Sequence, residues 1–177
     1  DLQNGTLILQ ARKQNVIGQN EKTYQYTSGM ISSGRATSDL SEAPRFSFQH
    51  GYVEIRARVP RGQGLWPAFW MLPITQESKP EIDIMEILGA NPTEIKMHYH
   101  YADVNGKENS IGGEWIGPDF SQAWRTFGVD WEPDQIVWYI DGVARFKVDS
   151  TTAILPAEPM YIIMNLAVGG DYPGNPN

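Results

Sequence analysis

Pro80-Glu81-Ile82-Asp83-Ile84-Met85-Glu86-Ile87-Leu88-Gly89 interleaves three acids with large apolar residues. On a regular strand, a period of two puts Glu81 and Asp83 on one face and Glu86 on the other. Ile82 and Ile84 would then share a face with Glu86, and Met85 and Ile87 would sit beside Glu81 and Asp83. One β-bulge at Ile84-Met85 removes the conflict, because two residues count as one and the register flips beyond them. Glu81, Asp83 and Glu86 then line one face, Ile82, Ile84 or Met85, and Ile87 line the other, and Leu88 is the single apolar residue on the acid side. Four effective steps of ~3.3 Å separate the outer glutamate Cα atoms by roughly 13 Å. Both side chains can lean inward over Asp83, closing the carboxyl gap toward the ~5 Å of retaining glycoside hydrolysis, although the wider gap of an inverting site is within reach. Three crowded acids repel, which raises at least one pKa, as a general acid near neutral pH requires. The same spacing also fits an acidic, solvent-facing strand edge. A calcium site would need six or more oxygens, more than one strand face supplies.

The elements that must carry these acids read as short strands. Thr6 to Arg12 follows an Asn4-Gly5 turn signal, and Tyr24 to Ile31 comes next. Gly51 to Pro60 alternates, with Tyr52, Glu54, Arg56 and Arg58 on one face and Val53, Ile55, Ala57 and Val59 on the other. Further runs are Ala68 to Leu72, Glu81 to Leu88, Glu94 to Tyr101, Thr126 to Trp131, Ile136 to Ile140, Ala144 to Val148 and Met160 to Val168. Asp141-Gly142 between two of them is a hairpin signal, and Ser121 to Arg125 suggests a short helical turn. Without amphipathic crossover helices, this pattern predicts an all-β fold, an antiparallel two-sheet β-sandwich. No repeat or linker divides the 177 residues, so one domain over 1–177 is expected.

Composition narrows the function classes. The net charge of -7 argues against a nucleic-acid partner. No run of roughly 18 apolar residues occurs, so no membrane span is expected. The absence of cysteine excludes disulfides and thiolate zinc sites. Six Trp and eight Tyr suit a site where sugar rings lie on aromatic faces, and serve equally as core. His98 and His100 share one strand face, a metal-ligand arrangement also used by cupin jelly rolls. The Glu that cupins place a few residues beyond is missing, since Val104 and Asn105 stand there and Glu108 comes too late.

The segments Glu81 to Glu86, Gly64-Leu65-Trp66-Pro67-Ala68-Phe69-Trp70-Met71-Leu72, Gly51 to Arg56, Trp138-Tyr139-Ile140-Asp141-Gly142 and Asn165 to Gly170 together resemble glycoside hydrolase family 16. The likeness is to its laminarinase-type branch with the bulged E-x-D-x-x-E motif. It implies a concanavalin-like jelly roll with a sugar cleft on the concave sheet, and hydrolysis with retention. Glu81 is then the nucleophile, Glu86 the acid/base, and Asp83 the residue that orients and tunes the nucleophile. The positions of Trp66, Trp70, Glu54, Arg56, His98, His100 and Asn165 match cleft-lining ones. From the residues alone, Trp66 also reads as core, Arg56 as a solvated strand charge and Asn165 as a strand-end cap. Met85 as the extra residue and Ala167 point to β-1,3-glucan, with mixed-linkage β-1,3-1,4-glucan as a further substrate. A licheninase specific for the mixed polymer and a non-catalytic glucan-binding lectin are the alternatives. Net charge disfavours a sulfated polymer. No catalytic cofactor is expected. The resemblance further implies that the family's terminal strands are missing at both ends, and a structural calcium held by those termini is disfavoured. A mature secreted chain, already without its signal peptide, is the expected form.

Overall fold

The computed structural model describes every residue of the chain except Ser38, Gln76 and Glu77. Fourteen strands and no helix are found among the described residues. The short strands β1 (Leu2–Gln3) and β2 (Thr6–Leu7) form a hairpin, as do β3 (Arg12–Ile17) and β4 (Thr23–Thr27). The remaining strands are β5 (Met30–Ser32), β6 (Gly51–Ala57), β7 (Leu65–Pro73), β8 (Glu81–Glu86), β9 (Glu94–Ala102), β10 (Glu108–Ile116), β11 (Arg125–Trp131), β12 (Gln135–Ile140), β13 (Val143–Asp149) and β14 (Met160–Val168). They build a six-stranded sheet in the order β10-β9-β8-β7-β14-β5 and a four-stranded sheet in the order β13-β12-β11-β6. Among the described residues the pairings in the two sheets are antiparallel, and the two pack as a jelly-roll sandwich.

Period-two alternation makes the layer between the sheets. From the larger sheet come Phe69, Met71, Ile82, Ile95, Met97 and Tyr99; from the smaller come Phe127, Val129, Trp131, Ile136 and Trp138, all fully buried. Removing each such side chain from water contributes about 1.5–3 kcal/mol, which offsets the ordering of many short strands.

Turn chemistry behaves as its residues dictate. Asp141 and Gly142 both take positive φ, 50° and 73°, the two-residue turn that matches strand twist, and Asn4-Gly5 does the same at 49° and 74°. The predicted run from Thr6 to Arg12 is broken, with β2 ending at Leu7 and β3 starting at Arg12. The run from Tyr24 to Ile31 divides at Ser28-Gly29, where Gly29 lies against Leu9 and its carbonyl accepts the Leu166 N–H at 3.0 Å. Ser121 to Arg125 is not helical: Asp119 closes a turn by accepting the Ser121 and Gln122 N–H groups, and the chain enters β11 at Arg125.

Strand β10 has no counterpart in the sequence reading. Gly112 and Gly113 at its centre lower the apparent strand propensity. Rings cover the strand on both sides: an added Cβ would lie 2.2 Å from His98 at Gly112 and 2.6 Å from Phe146 at Gly113. Asn105-Gly106, a hairpin signal of the same kind as Asp141-Gly142, marks the turn into it.

Candidate active site

The kink in β8 lies where the residue pattern requires it. Toward β7, Met85 pairs with Phe69 and Asp83 with Trp70, so Ile84 has no opposite number. Toward β9, the register likewise shifts between Asp83 and Glu86. Ile82, Ile84, Met85 and Ile87 are all buried in the core, and Glu81, Asp83 and Glu86 line the outer face. Leu88 is half-buried on that same side, in a recess with Trp66, Glu86 and Tyr172.

The outer face of the six-stranded sheet holds an open cleft of about 610 Å³. Its floor is β8, and β9, β7 and β14 supply the flanks. Cross-strand register sets His100 opposite Glu81, His98 opposite Asp83, and Lys96 opposite Glu86. The polar contacts run diagonally to that register. His100 Nε2 lies 3.1 Å from Asp83 Oδ2 as a close ion-pair contact without an aligned hydrogen bond, and His98 Nδ1 lies 3.4 Å from Glu86 Oε2. The two imidazoles stack with ring centres 5.6 Å apart. On the opposite flank, Trp70 Nε1 donates to Asn165 Oδ1 at 2.8 Å, which pins the indole over the cleft. Trp66 meets the ring of Tyr172 edge-on at 4.7 Å. The Lys96 ammonium lies 5.6 Å from the centre of the Tyr172 ring.

Burial is the main electrostatic influence. It pushes the Glu81 carboxyl up to about 7, helped by the charge and hydrogen bond of neighbouring Asp83 and opposed by His100. Burial also raises Asp83, against the stabilising contact with His100. The polar contact with Asp83, and then the charges of Asp83, Glu81 and Glu86, raise His100 despite its own burial. Glu81 and Asp83 therefore hold a proton in common more readily than two free carboxylates would. One ligand atom from each of Glu81, Asp83 and His100 lies within 4.8 Å of the others, and the same is true of Asp83, Glu86 and His98. Either triad has the reach to hold a cation, but the two histidines fall in different triads, so the pair does not converge as in the cupin arrangement.

Trp66, Trp70, His98, His100 and Asn165 thus meet the three acids in one cleft. Glu54 and Arg56 do not, which corrects the expectation that they line it. They lie on β6, in the four-stranded sheet, on its outward face. There Tyr52 Oη donates to Glu54 Oε2 at 2.6 Å, and the Arg56 guanidinium sits 5.4 Å from the Trp124 ring centre. Alternation along β6 separated its polar face correctly but carries no information about which sheet that face belongs to. Conversely, Lys96, Ser110 and Tyr172 line the cleft without having been singled out. Lys96 was accessible from its spacing of two with His98 and His100; Tyr172 sits in a glycine-rich loop and had no periodic signal.

The model of the Glycosyl hydrolases family 16 matches residues 3–177 of the chain. A glucan endo-1,3-beta-glucosidase of Niallia circulans is 36% identical over 168 residues, covering 85% of this chain and 23% of its own length. An endo-1,3-1,4-beta-glycanase of Rhizobium meliloti (strain 1021) is 36% identical over 147 residues, covering 83% of this chain and 29% of its own. The chain thus spans between a fifth and a third of the length of these two curated relatives. Among solved structures, the laminarinase catalytic domain from Thermotoga maritima superposes with a TM-score of 0.84 at 31% identity, over 100% of this chain and 72% of that one. The endo-beta-1,3-glucanase from Pyrococcus furiosus gives 0.79 at 36% identity, over 99% and 69%.

Proposed function

The chain belongs to glycosyl hydrolases family 16, and on that premise we propose that it is an endo-acting, retaining β-1,3-glucanase. The observation that carries this reading is the convergence of Glu81, Asp83 and Glu86 across the Ile84 bulge onto one face of an aromatic-walled, open cleft. An open cleft admits a polymer from the side, as internal cleavage requires.

In the first step Glu81 attacks the anomeric carbon while Glu86 protonates the departing glycosidic oxygen; in the second, Glu86 takes a proton from the water that releases the sugar. Attack requires an ionised Glu81. Asp83, in hydrogen-bond contact with Glu81, is the group that can take its proton. His98 lies 3.4 Å from Glu86 and restricts where its carboxyl can move. Trp66 and Trp70 offer ring faces to pyranose units, with Trp70 fixed by Asn165. The reaction needs no cofactor. Activity that disappears on chelation and returns with metal would overturn that.

Similarity to an endo-1,3-1,4-beta-glycanase favours mixed-linkage glucan as a second substrate. A lectin function is disfavoured by intact Glu81 and Glu86, since a binder has no use for both. Such a polymer is too large to enter a cell intact, so the reading includes an extracellular site of action. Detection of the protein only inside the source cells would contradict that part.

One assay set tests the whole reading. Reducing ends released from laminarin, barley β-glucan and agarose are measured with and without chelator, for the wild type and Glu81→Gln. Laminarin hydrolysis is expected in the wild type and is lost in Glu81→Gln. Binding without hydrolysis would establish the lectin instead, and the anomer formed first, followed by NMR, decides retention.

A further inference from the structure

The carbonyl oxygen of Asp83 accepts a hydrogen bond from Trp138 Nε1 at 2.8 Å, inside the core. The donor belongs to β12 of the opposite sheet, and its side chain is fully buried. In a regular antiparallel strand, carbonyls lie in the plane of the sheet and bond to adjacent strands. A carbonyl that meets a side chain reaching across the core is turned out of that plane. The next residue, Ile84, is the one skipped by the pairing with β7. The turned carbonyl therefore marks the start of the bulge.

Two arrangements compete at this point. With the bulge, the Asp83 carbonyl points into an apolar interior, where leaving it unpaired costs about 1–3 kcal/mol. Without it, a regular ladder satisfies the carbonyl but carries Glu86 to the buried face. The indole N–H removes the penalty of the first arrangement alone. We infer that Trp138 is a positioning residue for the reaction: it holds the bulge in β8, so that Asp83 and Glu86 face the same cleft.

The kinetic consequence rests on the proposed glucanase activity, whereas the structural consequence does not. Trp131 supplies the control. It is also fully buried, in the neighbouring strand β11, and its Nε1 has no hydrogen-bond partner among the described residues. Trp138→Phe and Trp131→Phe therefore remove the same ring atoms, but only the first removes a bond to β8.

Laminarin kinetics are measured for both variants across the pH range, each below its own Tm. Trp138→Phe is expected to lose about tenfold or more in kcat with KM little changed, because a small misplacement of reacting groups is costly. It should also move the acid limb of the kcat profile by roughly half a pH unit, as Asp83 changes its setting beside Glu81. Trp131→Phe should leave both within about twofold, whatever its Tm. A wild-type kcat and pH profile in Trp138→Phe overturns the inference, and so do equal losses in both variants, which would reduce Trp138 to core packing. If Trp138→Phe does not fold, benzothienylalanine at position 138 keeps the ring shape and removes only the N–H, and the same outcomes apply. If the wild type does not hydrolyse laminarin, the glucanase reading fails separately. Carboxyl-carbon NMR titration then decides: the Glu81 and Asp83 midpoints should shift in Trp138→Phe alone, and unmoved midpoints overturn the inference.

Discussion

Glu81 combines two properties that pull in opposite directions. As the proposed nucleophile it must be ionised, yet burial and Asp83 push its carboxyl up to about 7. The acid limb of kcat/KM should accordingly rise through neutral pH rather than near the ordinary glutamate range, and a limb midpoint near 4.5 would contradict the burial of this group. Stability carries the same signature with a definite sign. Glu81 binds its proton more tightly folded than unfolded, where its ordinary value is 4.5. Its favourable contribution is complete below that value and is lost as pH rises through about 7. Glu81→Gln stays neutral throughout. Its Tm should match the wild type near pH 4 and exceed it near pH 8, and calorimetry at the two pH values checks this. A constant offset would mean that Glu81 is not desolvated. Roles are separable by chemistry as well. If Glu81 attacks the sugar, azide should rescue Glu81→Gly by forming the glycosyl azide of inverted configuration. Rescue of Glu86→Gly should instead give the retained product. The reverse pattern would exchange the two assignments.

Strands decide whether these residues can meet. Strand β9 presents Lys96, His98 and His100 at a spacing of two, and β10 leaves room for the His98 ring because Gly112 has no side chain. A methyl group there would lie 2.2 Å from the His98 ring. The ring can swing outward into the open cleft, so the fold loses little, but its contact with Glu86 goes. Gly112→Ala should therefore lower kcat/KM by roughly tenfold. Its Tm should change by only about 2 °C. A variant with full activity would show that His98 does not need its place beside Glu86. The glycines that create this space also removed the strand from view in the sequence, because a strand recognised by β-branched and aromatic residues is invisible where packing demands the opposite.

At the scale of the molecule, the cleft is the outer surface of a sheet whose inner surface is core, so the proposed catalytic face and the core share one layer. Phe69, on the adjacent strand β7, is fully buried in the core and paired with Met85 at the edge of the bulge. Phe69→Ala should destabilise by about 3–5 kcal/mol. For a chain of this size that lowers Tm by roughly 10 °C or more. A drop of only a degree or two would mean that the sandwich repacks freely. The amino-acid sequence by itself determined what is local: the strand type of most segments, the Asp141-Gly142 hairpin, and the bulge, which is forced by the incompatibility of Glu86 and the isoleucines with an unbroken period of two. It also carried the family likeness, distributed over motifs from Gly51 to Gly170. Only the tertiary structure decided which polar faces share a sheet. That choice moved Glu54 and Arg56 to the far side of the sandwich, brought Tyr172 over Trp66, and joined Trp138 to the backbone of Asp83. The reason is physical: alternation along a strand reports two faces but not their neighbours, and neighbours arise from long-range closure of the sheets, which no short window of residues contains.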